Sequence, residues 1–196
     1  IDAIDASNNV LALSVAQYDA LGSGTLTASD TVTLSDTGAN IAALDAVAIG
    51  GLAAAGIDTI DASDNTLSLS VAQANALGSV TVAEDDTFTL ADTGANIAAL
   101  TVTQIGDLAA AGINTIDATD NTLALSMAQY QALGSIALTP GDTVTLSDTG
   151  ANLASQSAAS INDLVNVDAF EATDNALSLH IAQLGAIHSD TIALAA

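Results

Sequence analysis

"IDTIDASDNTLSLSVAQANALGS" (residues 57–79) decides the fold because it recurs: it stands at 1–23 as "IDAIDASNNVLALSVAQYDALGS" and at 113–135 as "INTIDATDNTLALSMAQYQALGS". The spacing is 56 residues both times, and a shortened fourth copy, "AFEATDNALSLHIAQLGAIHS", begins at 169. Self-similarity at a fixed period of this length marks a repeat architecture, in which each unit buries its apolar face against its neighbours. The units are 1–56, 57–112 and 113–168 with a degraded copy at 169–196, all within one repeat domain. The pattern is already running at Ile1 and still running at Ala196, so the chain reads as a fragment of something longer.

Inside each unit lies a weaker half-period of 28: Ile4, Val32, Ile60, Phe88, Ile116 and Val144 share one phase, and Phe170 follows two residues early. The expected fold is an α/β solenoid of about seven rungs, each a strand, a turn, a helical side and a return. A parallel strand ladder would line one side and short Ala-rich helices the other, and the coil would be right-handed, as parallel crossovers are. In odd half-repeats, "LSLSVAQANALGS" predicts a second extended piece, about two helical turns and a stop at Gly78. In even half-repeats, "ANIAALTVTQIGDLAAAG" (95–112), with Ile97, Leu100, Ile105 and Leu108 at three- and four-residue spacing, predicts a longer helical side ending at Gly112. Strands stack at about 4.8 Å, roughly half the distance between packed helices, so alternating helices of two kinds would relieve the mismatch. That alternation accounts for a true period of 56.

Residues 113–123, "INTIDATDNTL", carry Ile113, Ile116, Ala118, Asn121 and Leu123 at the marked sites of the template L-x-x-L-x-L-x-x-N-x-L. The rung spacing thus resembles leucine-rich repeats along the whole chain, with Ala at the third apolar site in alternate rungs. The Asn site reads Asn9, Thr37, Asn65, Thr93, Asn121, Thr149 and Asn175. The resemblance implies that this side chain bonds backbone groups in the turn after the strand.

Composition removes several classes of function. The chain has 23 acidic residues, no Lys or Arg and two His, so direct nucleic-acid binding, which needs cationic side chains at phosphates, is excluded. Anionic membrane surfaces are disfavoured for the same reason, and no apolar run approaches a membrane span. Half the residues are apolar but only 2% are aromatic, so the core must be built from small and aliphatic side chains. With no cysteine there is neither a disulfide nor a thiolate metal site.

The acids fall into columns. Asp2, Asp30, Asp58, Asp86, Asp142 and Asp168 precede a strand, with Asn114 filling the gap; Asp36, Asp64, Asp92, Asp120, Asp148 and Asp174 follow one, with Asn8 at the start. Asp5, Asp61, Asp117 and Glu171 share an outward face, alternating with Thr33, Thr89 and Thr145. Like charges about 4.8 Å apart repel by roughly 1 kcal/mol in water and several-fold more in a protein environment, so the columns need relief. Turn amides, raised pKa values or bound cations can each provide it. Hard cations such as Ca²⁺ suit carboxylates beside hydroxyls and carbonyls, making Asp36, Asp64, Asp92, Asp120, Asp148, Asp58, Asp61 and Asp117 the candidate metal ligands. The alternative is that each Asp caps a turn or a helix start.

"SDTGAN" at 35–40 and 147–152 and "ADTGAN" at 91–96 carry the Asp-Thr-Gly signature of aspartic proteases. Such an enzyme needs two carboxylates about 3 Å apart sharing a proton. Copies two rungs apart would lie near 10 Å, so no enzyme is expected and the triplet reads as a turn. His180 and His188, eight residues apart in the irregular last copy, are candidates for a shared transition-metal face, and Tyr18 and Tyr130 for partly buried packing. Thr31 with Thr33, Thr87 with Thr89 and Thr143 with Thr145 form Thr-x-Thr rows that resemble insect-type ice-binding solenoids.

The Ala, Thr, Asp and Gly bias, the absence of Lys and Arg, and the near-identical tandem units resemble the repeat regions of large secreted bacterial surface proteins, among them adhesins and surface-layer or toxin-type exported proteins. That resemblance implies an extracellular, cell-surface location and a role as extender, matrix element or adhesive stalk, often stabilised by Ca²⁺. The expected partners are other copies of the chain, through end-to-end or lateral assembly, or a cell-surface or glycan ligand. The near-constant outward residues favour a structural role over ligand binding.

Overall fold

The computed structural model describes residues 3–22, 24–189 and 192–194. The chain divides into two compact units, residues 1–91 with 110–115, and residues 92–109 with 116–196. Both are parallel β-sheets with short helices, an α/β arrangement compatible with a solenoid.

The first unit runs β1 (Ala3–Ile4), β2 (Val10–Leu13), α1 (Val15–Leu21), β3 (Thr25–Leu26), β4 (Thr31–Asp36), α2 (Gly38–Ala42), α3 (Ala46–Gly51), β5 (Thr59–Ala62), β6 (Thr66–Leu69), α4 (Val71–Ala76), β7 (Thr81–Val82) and β8 (Thr87–Asp92), whose last residue falls in the second unit. Strands β2, β4, β5 and β7 form one parallel sheet in that order. β4 alternates as period-2 sequence requires: Val32 and Leu34 are fully buried, while Thr31 faces solvent. Ile41 of α2, Ile49 of α3, Leu52 and Ile60 complete an aliphatic core with no exposed surface.

The second unit contains α5 (Gly94–Ala98), α6 (Val102–Leu108), β9 (Ile113–Ala118, shared with the first unit), β10 (Thr122–Leu125), α7 (Met127–Ala132), β11 (Ala137–Leu138), β12 (Thr143–Asp148), α8 (Gly150–Ala154), α9 (Ala158–Asn162), β13 (Ala169–Ala172), α10 (Ile181–Ser189) and β14 (Ala193–Leu194). Strands β10, β12, β13 and β14 are parallel neighbours around Leu123, Leu125, Val144, Leu146 and the fully buried Phe170.

One expectation is corrected. Residues 28 apart do not stack: Val10 pairs with Thr31, Thr33 with Thr59 and Thr59 with Thr81. Ile60 therefore lies beside Leu34 rather than Val32, and Val32 beside Leu11 rather than Ile4. An odd half-repeat needs fewer residues to return to its strand than an even one, which carries two helices, so the pairing offset alternates. The even helical side is longer, as expected, and consists of two short helices that end at Leu108, before Gly112. Thr101 interrupts it as the N-cap of α6, its hydroxyl accepting from Gln104 N–H while the Gln104 side chain accepts the Thr101 N–H, a capping box that starts a new helix. The odd half-repeats match their expectation. β6 and α4 follow the turn, and Gly78, at φ +59°, ends the helical stretch in the left-handed region that glycine tolerates best.

Candidate functional site

Most acids of the pre-strand and post-strand columns are hydrogen-bond acceptors for backbone N–H groups, many of them in the preceding half-repeat. In the pre-strand column two kinds alternate. Asp58, Asn114 and Asp168 accept the N–H of Val32, Phe88 and Val144 at 2.8, 2.7 and 2.7 Å. Asp30, Asp86 and Asp142 are buried, and their Oδ2 atoms accept the N–H of Ala6, Ala62 and Ala118, each at 2.9 Å. Oδ1 of Asp30 and of Asp86 is buried without a hydrogen-bond partner. Desolvation pushes the carboxyls of Asp86 and Asp142 above the ordinary range, helped by nearby Asp61, Asp85 and Asp64 for the first and Asp117 and Asp120 for the second.

The post-strand column initiates helices. Asp64, Asp120 and Asp174 accept, each at 2.9 Å, the N–H of Gly38, Gly94 and Gly150, the first residues of α2, α5 and α8. The Gly94 amide holds Asp120 below the usual carboxylate range, and the Gly150 amide does the same for Asp174. Asp36, Asp92 and Asp148 instead organise the D-T-G-A-N stretch in which they lie. Each Oδ1 accepts the next residue's N–H at 2.8 Å and the Asn side chain four residues on at 2.7 Å. Oδ2 of Asp36 and of Asp148 accepts the first N–H of α1 and of α7, from Val15 at 3.1 Å and Met127 at 3.0 Å. The Asn40 amide and the Thr37 and Val15 N–H groups lower Asp36; burial opposes the same change at Asp148, but Asn152, Thr149 and Met127 outweigh it.

The rest of the D-T-G-A-N stretch has equally local work. Thr37, Thr93 and Thr149 are N-caps, while Asn9, Asn65, Asn121 and Asn175 sit at φ between +53° and +58° in tight turns. The single Asn/Thr column of the leucine-rich-repeat reading therefore splits into two devices, since Asn tolerates the left-handed region and Thr does not. Glycine is required after the Thr because a Cβ there would overlap the carbonyl oxygen of Thr66, Thr122 or Ala176. The Asp-Thr-Gly carboxylates of Asp36, Asp92 and Asp148 accept backbone and Asn amide N–H groups.

The outward-face column is also corrected. Asp61 pairs with Ser35, not with Thr33, and accepts its hydroxyl at 2.9 Å; Glu171 accepts Ser147 at 2.8 Å. The neighbour of Thr33 is Thr59, which in turn meets Thr81 hydroxyl to hydroxyl at 3.2 Å, giving a row of three threonines with no acid between them. Asp117 is half-buried on β9. Among the described residues no three His, Asp or Glu side chains converge into a group able to hold a metal ion. His180 is exposed and stands just before α10, its N–H donating to Gln183 Oε1 at 2.7 Å; the side chain of His188 lies outside the described residues. Tyr130 is half-buried, its hydroxyl accepting the Val165 N–H at 2.8 Å and donating to the Val165 carbonyl at 3.1 Å.

No family model matches the chain, and no curated protein or solved structure is similar to it. No helix among the described residues is long and apolar enough to cross a membrane.

One set of residues escaped the sequence reading. Gln73, Gln129 and Gln183 each donate through Nε2 to two carbonyls at the end of a preceding helix: Ala42 and Leu44 at 2.8 and 2.7 Å, Ala98 and Leu100 at 2.9 and 2.7 Å, Ala154 and Gln156 at 2.9 and 2.5 Å. Oε1 accepts the N-cap backbone N–H of the glutamine's own helix, so one side chain joins a helix start to a helix end. The signal was the Ser-x-x-Gln spacing at 70–73 and 126–129, which is that of a capping box.

Proposed function

We propose that the chain is a structural repeat segment of an extracellular bacterial surface or adhesive protein, a rod-like extender or filament-building block. In this reading it coils as a right-handed solenoid of about seven rungs. The observation that carries it is the triple recurrence of the glutamine staple: Gln73, Gln129 and Gln183 all join one half-repeat to the one before. The carboxylates act in the same direction, toward backbone amides of the neighbouring half-repeat. Side chains that elsewhere build a ligand pocket are here used for stacking.

A bound cation is not required by this proposal, since hydrogen bonds from N–H groups supply much of the relief that the acid columns need. Any contribution of Ca²⁺ would come through solvent-facing carboxylates such as Asp58, Asp64 and Asp120. Small-angle scattering on chains lengthened by whole 56-residue units tests the rod. Stacking predicts that the maximum dimension grows by about 10 Å per added unit, two strand spacings. Growth with the cube root of length would contradict it. The Thr33, Thr59 and Thr81 row supports a second reading, an ice-binding face, for which thermal hysteresis is the measurement.

A further inference from the structure

The first odd half-repeat carries the stacking side chains of the later ones without their partners. Gln17, equivalent to Gln73, Gln129 and Gln183, makes the capping box with Ser14, but its Nε2 donates to no carbonyl among the described residues. Asp5, equivalent to Asp61, is exposed and accepts no hydroxyl among the described residues, and Asn8, equivalent to Asp64, accepts the Val10 N–H through Oδ1 at 3.3 Å. The apolar positions tell the same story. Ile60 and Ile116 are fully buried and Leu67 and Leu123 are 1% exposed, whereas Ile4 and Leu11 are only half-buried.

We propose that the face formed by β1, β2 and α1 is a docking surface for a further helix-pair half-repeat of the same kind as residues 31–56. Its helix-end carbonyls would take the Gln17 amide and its strand serine would donate to Asp5. The surface continues an interface that the chain already builds three times. The occupant is a fourth helix-pair half-repeat rather than a folded second copy, because the three such carbonyl pairs among the described residues already hold a glutamine: Ala42 with Leu44, Ala98 with Leu100, and Ala154 with Gln156. This inference rests on the stacked-repeat reading above.

The test compares the 196-residue chain with the same chain extended before Ile1 by a duplicate of residues 29–56, each with and without Gln17→Ala. In the unextended chain Gln17→Ala should shift the melting temperature by under about 2 °C, and Gln73→Ala by about 5 °C or more. In the extended chain the Gln17→Ala shift should rise to match that of Gln73→Ala, and helix content should increase by the added α2 and α3 equivalents. A Gln17→Ala shift that stays small, or an extension that adds no helix, overturns the docking surface while leaving the stacked-repeat reading intact. A silent Gln73→Ala overturns the stacked-repeat reading itself. Concentration-dependent dimerisation of the unextended chain that Gln17→Ala abolishes would make the occupant a second copy, and would also overturn the proposal.

Discussion

The Asn114 side-chain oxygen accepts the backbone N–H of Phe88 at 2.7 Å, the position that Asp58 takes toward Val32 at 2.8 Å and Asp168 toward Val144 at 2.7 Å. An amide thus does the work of a carboxylate in the same column. What the column requires is an acceptor oxygen, with the charge incidental to it. Asp58→Asn should change stability by less than about 0.5 kcal/mol, whereas Asp58→Ala, which strands the Val32 amide, should cost about 1–2 kcal/mol in denaturant titration. Equal losses for the two variants would show that charge matters after all.

Asp86 and Asp142 set the acid-side behaviour. Burial raises their folded-state pKa above the unfolded value, so the folded chain holds their protons more tightly. The stability this brings is fully present below the unfolded pKa, near 3.9, and is lost as pH rises through the raised folded value. The double variant Asp86→Asn with Asp142→Asn should therefore lose less stability than the parent as pH rises from about 4 to about 7, whatever their relative stabilities at pH 4. Parallel stability–pH curves for parent and variant would refute it.

Asp36, Asp120, Asp148 and Asp174 act with the opposite sign. Their folded pKa values are lowered, so their stability is present above the unfolded value and is lost as pH falls through the folded one. Asp120→Asn and Asp174→Asn should narrow the difference between neutral and strongly acidic melting temperatures, with the change concentrated on the neutral side. A wider difference in either variant would count against the amide contacts.

Glycine substitutions should separate packing from propensity. At Gly94 a Cβ would overlap the Thr122 carbonyl oxygen, so Gly94→Ala should destabilise by about 2–3 kcal/mol. Gly106, inside α6, has open space around its Cβ position, and Gly106→Ala should stabilise by about 0.5–1 kcal/mol. Melting curves of the two single variants decide the matter, and a mild Gly94→Ala would show that α5 can move away from β10.

Thermal unfolding in Ca²⁺, Mg²⁺ and chelator at matched ionic strength should give one melting temperature, because most carboxylates of the two columns beside the strands already accept N–H groups through at least one oxygen. A rise of several degrees specific to Ca²⁺ would instead locate cation sites at the exposed members of the columns.

The sequence by itself determined the 56-residue unit, the second strand and short helix of the odd half-repeats, and the glycine stop at Gly78. These follow from local chemistry: periodicity selects an element, and a cap or a left-handed glycine ends it. Only the tertiary structure decided which rows lie side by side. A 28-residue alignment set Asp61 beside Thr33, but the chain returns by different lengths through one helix or two, so Asp61 meets Ser35 and Thr33 meets Thr59. The roles of Asp30, Asp58 and Asp64 diverge for the same reason: Asp30 is buried against the Ala6 amide that follows β1, Asp58 is exposed and accepts the Val32 amide of β4, and Asp64 accepts the Gly38 amide that starts α2.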